Sequence, residues 1–298
     1  MYIPKDMLKQ MEKVSNLGKK LANLPEPTLS FSICCWSDLL GFGAPFFESN
    51  WKPPVDTWKR VADRITNAHI QCYNNLEPLH EFVLTLNDGI VRCCNPDNFA
   101  HLDFLSMWLR ACIWTHNAIC DSENTNNLPG ARTILTAGSN LRYVNFSVTL
   151  DDFVYTYTKP DPNKPGTYAQ LYGDPIVAIN PGPIQMNLAF SRAYILESFG
   201  SSCGIAGPHF FVDESFLECV KDITTRLRPD ITVIERTQGD FYLFAVPKTR
   251  DETIYHLGFD LSLNPIVIDT PKISSNVWRV YNFYPWDEEV SDFKNPVN

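Results

Sequence analysis

Two aspartates carry the chemistry this chain could perform. Asp38 closes the run "LSFSICCWSD", residues 29–38, and Asp88 stands in "LTLNDGIV", residues 84–91. The first run is apolar and β-favouring, yet it ends on a carboxylate and leads straight into "LLGFG". Two carboxylates a few ångströms apart repel each other unless a cation lies between them. Hard divalent ions take carboxylate oxygens and keep substrate phosphates as further ligands. Two such ions can activate an attacking oxygen and stabilise a leaving one. Gly41 and Gly43 let the backbone approach a ligand, and N–H groups there can cradle a triphosphate. Either aspartate alone would read as a cap or a turn residue; it is their order, with the glycine loop, that suggests a metal site.

The elements around them decide whether they meet. Residues 29–37 read as a buried strand. Pro53 and Pro54 precede a helix in which Val55, Trp58, Val61, Ala62, Ile65 and His69 recur at helical spacing. "HEFVLTLNDGIVRCC" alternates apolar and polar residues about Asn87-Asp88-Gly89, a hairpin turn signal. A helix over 101–120 and a strand "ARTILTAG" ending at Gly138 follow. In a βαββ sheet the first strand and the hairpin can be neighbours, which puts both carboxylates on one edge.

Further on, residues 145–182 read as an insertion of hairpin and loops. "PIQMNLAFSRAYILESFGS" and "FVDESFLECVKDITTRL" read as helices, and strands are expected near 231–236, 240–246, 254–260 and 265–269. Residues 5–23 read as an N-terminal helix. The expected domain limits are an N-terminal helix over 1–28, a catalytic domain over 29–270 and a C-terminal tail over 271–298.

Composition narrows the function. With 298 residues and 44% hydrophobic content, the chain can fill the core of one large domain. A net charge of −9 argues against general nucleic-acid binding, so phosphate would be met at a local site. Apolar runs fall far short of the ~20 residues of a membrane span, and the lysine-rich start lacks the apolar core of a secretory leader. Nine cysteines with no CxxC suggest reduced core residues of a cytoplasmic protein rather than a zinc site. His69 and His116 read as core or interface residues. No Walker or GxGxxG sequence occurs.

Four pieces resemble the class III nucleotidyl cyclase catalytic domain. "SDLLGFG" is similar to the family's metal-binding strand end and "LTLNDGIV" to the hairpin bearing its second metal aspartate. "ARTILTAG" resembles its Arg-x-x-x-x-x-Gly strand, and "QMNLAFSRAYILE" the helix with Asn and Arg. The resemblance spans about residues 29–200. It implies an α+β fold, a ferredoxin-like βαββαβ core with the inserted segment and extra C-terminal αβ elements. It also implies conversion of a nucleoside triphosphate to the 3′,5′-cyclic monophosphate and pyrophosphate in a homodimer with composite sites. Asp38 and Asp88 would hold two Mg²⁺ or Mn²⁺ ions; Leu39, Leu40, Gly41, Phe42, Gly43 and Arg132 would bind substrate; Asn187 and Arg192 would be catalytic. From its own residues Arg132 reads first as a structural salt-bridge partner and only second as a phosphate ligand.

The departures are specific. The family's purine-reading lysine, four residues before the second aspartate, is Leu84 here, and "AINPGPIQMN" offers Asn180 and no acid. Arg192 comes one position later than the family's arginine, about 100° round a helix. Lacking purine readers, the chain most resembles the bacterial pyrimidine cyclases of Pycsar anti-phage systems, whose cyclic UMP or cyclic CMP is read by a separate effector. Phe42, Trp51 and Tyr73 are candidates for excluding purines. The alternatives are a purine cyclase, a palm-like transferase joining two nucleotides, and a non-catalytic nucleotide- or protein-binding module.

Overall fold

A computed structural model describes residues 28–76, 81–142, 184, 186–249, 254–285 and 295–297. The chain divides into two compact units, 30–140 with 187–298, and 1–29 with 141–186. All of the described helices and nearly all of the sheet belong to the first unit. The expected N-terminal helix over 5–23 and the whole of the expected insertion lie outside the described residues.

In chain order the elements begin β1 (Thr28–Leu39), α1 (Ala44–Glu48), α2 (Val55–Asn74), β2 (Glu81–Leu86), β3 (Gly89–Cys94), α3 (Leu102–Thr125) and β4 (Ala131–Arg142). They continue α4 (Leu188–Phe199), β5 (Phe210–Asp213), α5 (Glu214–Leu227), β6 (Ile234–Gln238), β7 (Phe241–Pro247), β8 (Tyr255–Ser262), β9 (Ile266–Asp269), β10 (Ser274–Tyr284) and β11 (Asn295–Pro296). The strands form one sheet in the order β2-β3-β1-β4-β5-β10-β8-β7-β6, with β9 and β11 both paired to β10. Most pairs are antiparallel; β4 and β5 are parallel. The fold is α+β. With the short α1 set aside, its first half runs β-α-β-β-α-β with strands ordered β2-β3-β1-β4, the ferredoxin-like arrangement.

Alternation along the strands gives each sheet face its own partners. Ile33 and Cys35 of β1, Leu135 of β4 and Phe210 and Val212 of β5 pack with Leu105, Trp108 and Leu109 of α3 and Phe216 and Val220 of α5. The intervening residues turn to the opposite face, where Ile134 and Phe211 meet Leu196 of α4, Ile268 and Val277. The hairpin is held from below by a buried charge network. Arg92 donates to both carboxylate oxygens of Glu81, at 2.8 Å each, and to Thr115 Oγ1 at 2.8 Å, while the Trp108 indole also donates to Glu81. Such a pair is tolerated inside because each charge keeps several partners.

Three expectations need correction. "FVD" is not the start of a helix but β5; the helix begins at Glu214, capped by the Asp213 side chain accepting from the Ser215 N–H. Strand β4 runs four residues past Gly138, to Arg142. The stretch 271–298, expected as a tail, contains β10, which lies between β5 and β8 inside the sheet. None of the nine cysteines is in a disulfide, and all but the half-buried Cys203 are buried. Burial pushes the Cys72 and Cys120 thiols up to about 11. No helix among the described residues is long and apolar enough to cross a membrane.

Candidate active site

β1 lies between β3 and β4, so both sides of its C-terminal end are hydrogen-bonded. Asp38 is in register with Gly89. The Leu39 N–H donates to the Asp88 carbonyl at 3.2 Å, and the Leu40 N–H to the Gly130 carbonyl at 2.9 Å. The two sequence-predicted aspartates therefore sit at the ends of adjacent strands. A two-residue turn, Asn87-Asp88, joins β2 to β3, with Asn87 at a φ of +56° and its side chain donating to Asp88 Oδ1 at 3.2 Å.

Both carboxyls are raised, chiefly by burial. Asp38 is pushed up to about 7, first by burial, then by the charges of Glu197 and Asp88; Arg132 and Arg64 pull the other way. Burial also raises Asp88, against its own N–H, Asn87 and Arg64. Among the described residues no group of three or more His, Cys, Asp or Glu side chains is arranged to hold a metal ion. The donor set is thus two oxygen-bearing carboxylates. That fits a hard divalent ion completing its shell with phosphate and water, and does not fit a protein-enclosed structural metal.

Beyond Asp38 the chain enters the glycine loop. Gly41 has a φ of +67°, which favours glycine, and a Cβ there would lie 3.4 Å from Pro129. Leu39 and Phe42 are buried with Phe46 and Val61, and their N–H groups are held by the Asp88 and Leu39 carbonyls, at 3.2 and 3.4 Å. Trp51 and Tyr73 are exposed, while Phe42 is buried. Among the described residues the N–H groups of Gly41 and Gly43 meet no acceptor.

The sheet face bearing Asp38 is covered by α4. Trp36, two residues earlier on the same face, meets Phe190 and Tyr194 edge-on at 5.7 and 5.8 Å. Nearer the C-terminus of α4, Glu197 pairs with Arg132 Nη2 at 2.5 Å, and Arg132 also donates to the Ile205 carbonyl at 2.7 Å. Arg132 is thus held as a salt-bridge partner beside the carboxylates.

The two residues expected to be catalytic are engaged within their own chain. Asn187 is fully buried: it caps α4 by accepting from the Phe190 N–H at 3.0 Å and donates to Ser32 Oγ at 2.9 Å. Replacing it by alanine is expected to cost about 2 kcal/mol in urea unfolding, a cap plus a buried hydrogen bond. Arg192 donates to both oxygens of the buried Asp213, at 2.6 and 3.2 Å, and to Ser275 Oγ at 2.6 Å.

Sequence reasoning missed Arg64, Glu123 and Glu197. A signal was present for the middle one. Cys112, His116, Ile119 and Cys120 form the buried stripe of α3, and Glu123 continues it. A charge that continues a buried stripe calls for a partner.

No family model matches the chain, and no curated protein matches it. Solved structures similar to it include the guanylyl cyclase Cya2, at 9% identity and a TM-score of 0.45, covering 91% of this chain and 99% of that one. The adenylyl cyclase CyaB from P. aeruginosa is similar at 8% identity and a TM-score of 0.40, covering 86% and 96%. The dimeric guanylyl cyclase domain of a RhoGC fusion protein from the aquatic fungus Blastocladiella emersonii is similar at 11% and 0.42, covering 86% and 96%. Identities and scores this low do not assign a function.

Proposed function

We propose that the chain is a divalent-metal-dependent nucleotidyl cyclase acting on a pyrimidine nucleoside triphosphate, UTP or CTP. One observation supports this above the rest: Asp38 and Asp88 lie at the ends of adjacent strands, beside a glycine loop, with burial raising both carboxyls. When bound, two Mg²⁺ or Mn²⁺ ions would lower the pKa of the ribose 3′-hydroxyl and neutralise the phosphates. Asp38 and Asp88 would hold those ions. Residues 39–43 would lie along the triphosphate, with the Gly41 and Gly43 N–H groups turned to it. In the reaction the 3′-hydroxyl gives up its proton to water and its oxygen bonds to the α-phosphorus. The bond from that phosphorus to the bridging oxygen breaks, and pyrophosphate leaves with the electron pair. Strand ends hydrogen-bonded on both sides suit a reaction that depends on positioning.

The base preference rests on Leu84. It pairs with Val91, which pairs with Trp36, so the three share the face that carries Asp38. A leucine there offers no hydrogen bond to a purine. The fuller reading is a cytoplasmic homodimer with composite sites, bringing Asn187 and Arg192 to the partner's substrate. Its product would be a signal for a separate effector in anti-phage defence.

A second reading has its own support. Asn187 and Arg192 are both engaged inside the chain, as a non-catalytic binding module would allow. The test is incubation with ATP, GTP, CTP and UTP, each with Mn²⁺ or Mg²⁺, followed by product mass. A cyclic pyrimidine monophosphate that disappears in Asp38→Ala supports the proposal. A cyclic purine removes the base assignment, and a dinucleotide removes the cyclase. No product, with or without phage lysate, leaves the binding module.

A further inference from the structure

We propose that Arg64 is a positioning residue that sets the phosphate-facing loop, and that Glu123 locks it in place. The inference rests on the reading of residues 39–43 as a phosphate cradle. Arg64 and Glu123 come from different helices, α2 and α3, and their side chains are 8% and 4% exposed. Arg64 Nε lies 2.9 and 2.8 Å from the two Glu123 oxygens, and Nη2 lies 2.5 Å from Oε2. A buried pair of this kind is weak evidence of a stability role, since desolvation cancels most of its attraction. What it does locally is more specific.

Arg64 Nη2 donates to the Leu40 carbonyl at 2.7 Å, while the Leu40 N–H is held by the Gly130 carbonyl at 2.9 Å. The residue that precedes Gly41 is therefore fixed at both of its backbone groups. A trans peptide is planar, with its C=O and N–H pointing in opposite directions. Fixing the Leu40 carbonyl on Arg64 accordingly turns the Gly41 N–H away from Arg64, and that N–H meets no acceptor among the described residues. Gly41 then takes its left-handed φ of +67° and the loop turns. Arg64 is also the cation whose charge acts on both Asp38 and Asp88. It thus joins the metal-holding strand end to the loop beside it.

The test uses the full chain and a probe without a base. Mn²⁺ alone, and then Mn²⁺ with inorganic tripolyphosphate, are titrated into wild type, Arg64→Lys and Glu123→Gln, with melting followed in parallel. Lysine keeps the charge but cannot bind Glu123 in two places and Leu40 as well. Binding of Mn²⁺ alone should stay within about twofold, while Mn²⁺-tripolyphosphate should bind about tenfold more weakly in both variants, the loss of an oriented charge-assisted hydrogen bond. A residue acting only on stability would move both affinities or neither, and either pattern overturns the proposal. So does failure of both variants to fold, or absence of tripolyphosphate binding in wild type. If wild type binds the probe but cyclises no nucleotide, the cyclase reading fails and the Arg64 comparison still decides this one.

Discussion

Asp38→Asn is expected to make the folded protein more stable at pH 8 while removing the metal-dependent activity proposed for it. The sign comes from proton linkage. Asp38 titrates near 7 in the folded chain, pushed up by burial and by Glu197 and Asp88, against about 3.9 in an unfolded chain. Between those values the folded state holds a proton the unfolded state has lost, so stability falls as pH rises through that window. Above pH 7 the penalty is complete, roughly 2–4 kcal/mol for a shift of this size on a partly exposed group. Asparagine carries no such charge. The variant should melt higher than wild type at pH 8 and equally near pH 4. Mn²⁺ should raise the wild-type melting temperature at pH 8 and leave the variant's unchanged. Turnover should fall by on the order of a thousandfold, as when a key electrostatic group of a reacting centre is removed. A variant less stable at pH 8, or one that keeps its turnover, would contradict the assignment of Asp38 as a metal-holding carboxylate.

Gly89→Ala tests the same centre from the other strand. The residue takes an ordinary φ; what requires glycine is space. A Cβ there would lie 2.2 Å from Trp36 Cη2 and 2.6 Å from Cζ2, well inside contact distance. The indole has little freedom to yield, because Phe190 and Tyr194 stand edge-on to it. Either the ring forces α4 outward or the hairpin shifts, and the hairpin carries Asp88. Overpacking of this kind should cost about 3 kcal/mol in urea unfolding and weaken Mn²⁺ binding. Trp36→Phe in the same chain should restore part of both losses, and a double-mutant cycle measures the coupling. Additive effects would show that the ring is not what excludes a side chain at position 89.

Much of the candidate centre was legible because it is local. An apolar β-favouring run, Asn-Asp-Gly between alternating residues, and glycines after a carboxylate each depend on near neighbours in the chain. Most of β1, the hairpin and the start of α2 follow from such patterns. Strands β5 and β10 were not legible in the same way. β5 is four residues long and runs into its helix without a break. β10 follows a turn near the chain's end, and only its pairing with β5, β8 and β9 makes it central.

The sequence by itself determined the two carboxylates, the turn that presents one of them and the glycine loop after the other, since residue type and adjacent spacing suffice for these. Tertiary structure alone decided which charges surround them. Arg64 meets Glu123 across 59 positions, Arg132 meets Glu197 across 65, and Arg192 is drawn to Asp213 and Ser275 across 21 and 83. Whether a buried ion goes to a ligand or to another side chain depends on which opposite charge the packing brings within hydrogen-bond reach, and no spacing along the chain records that distance.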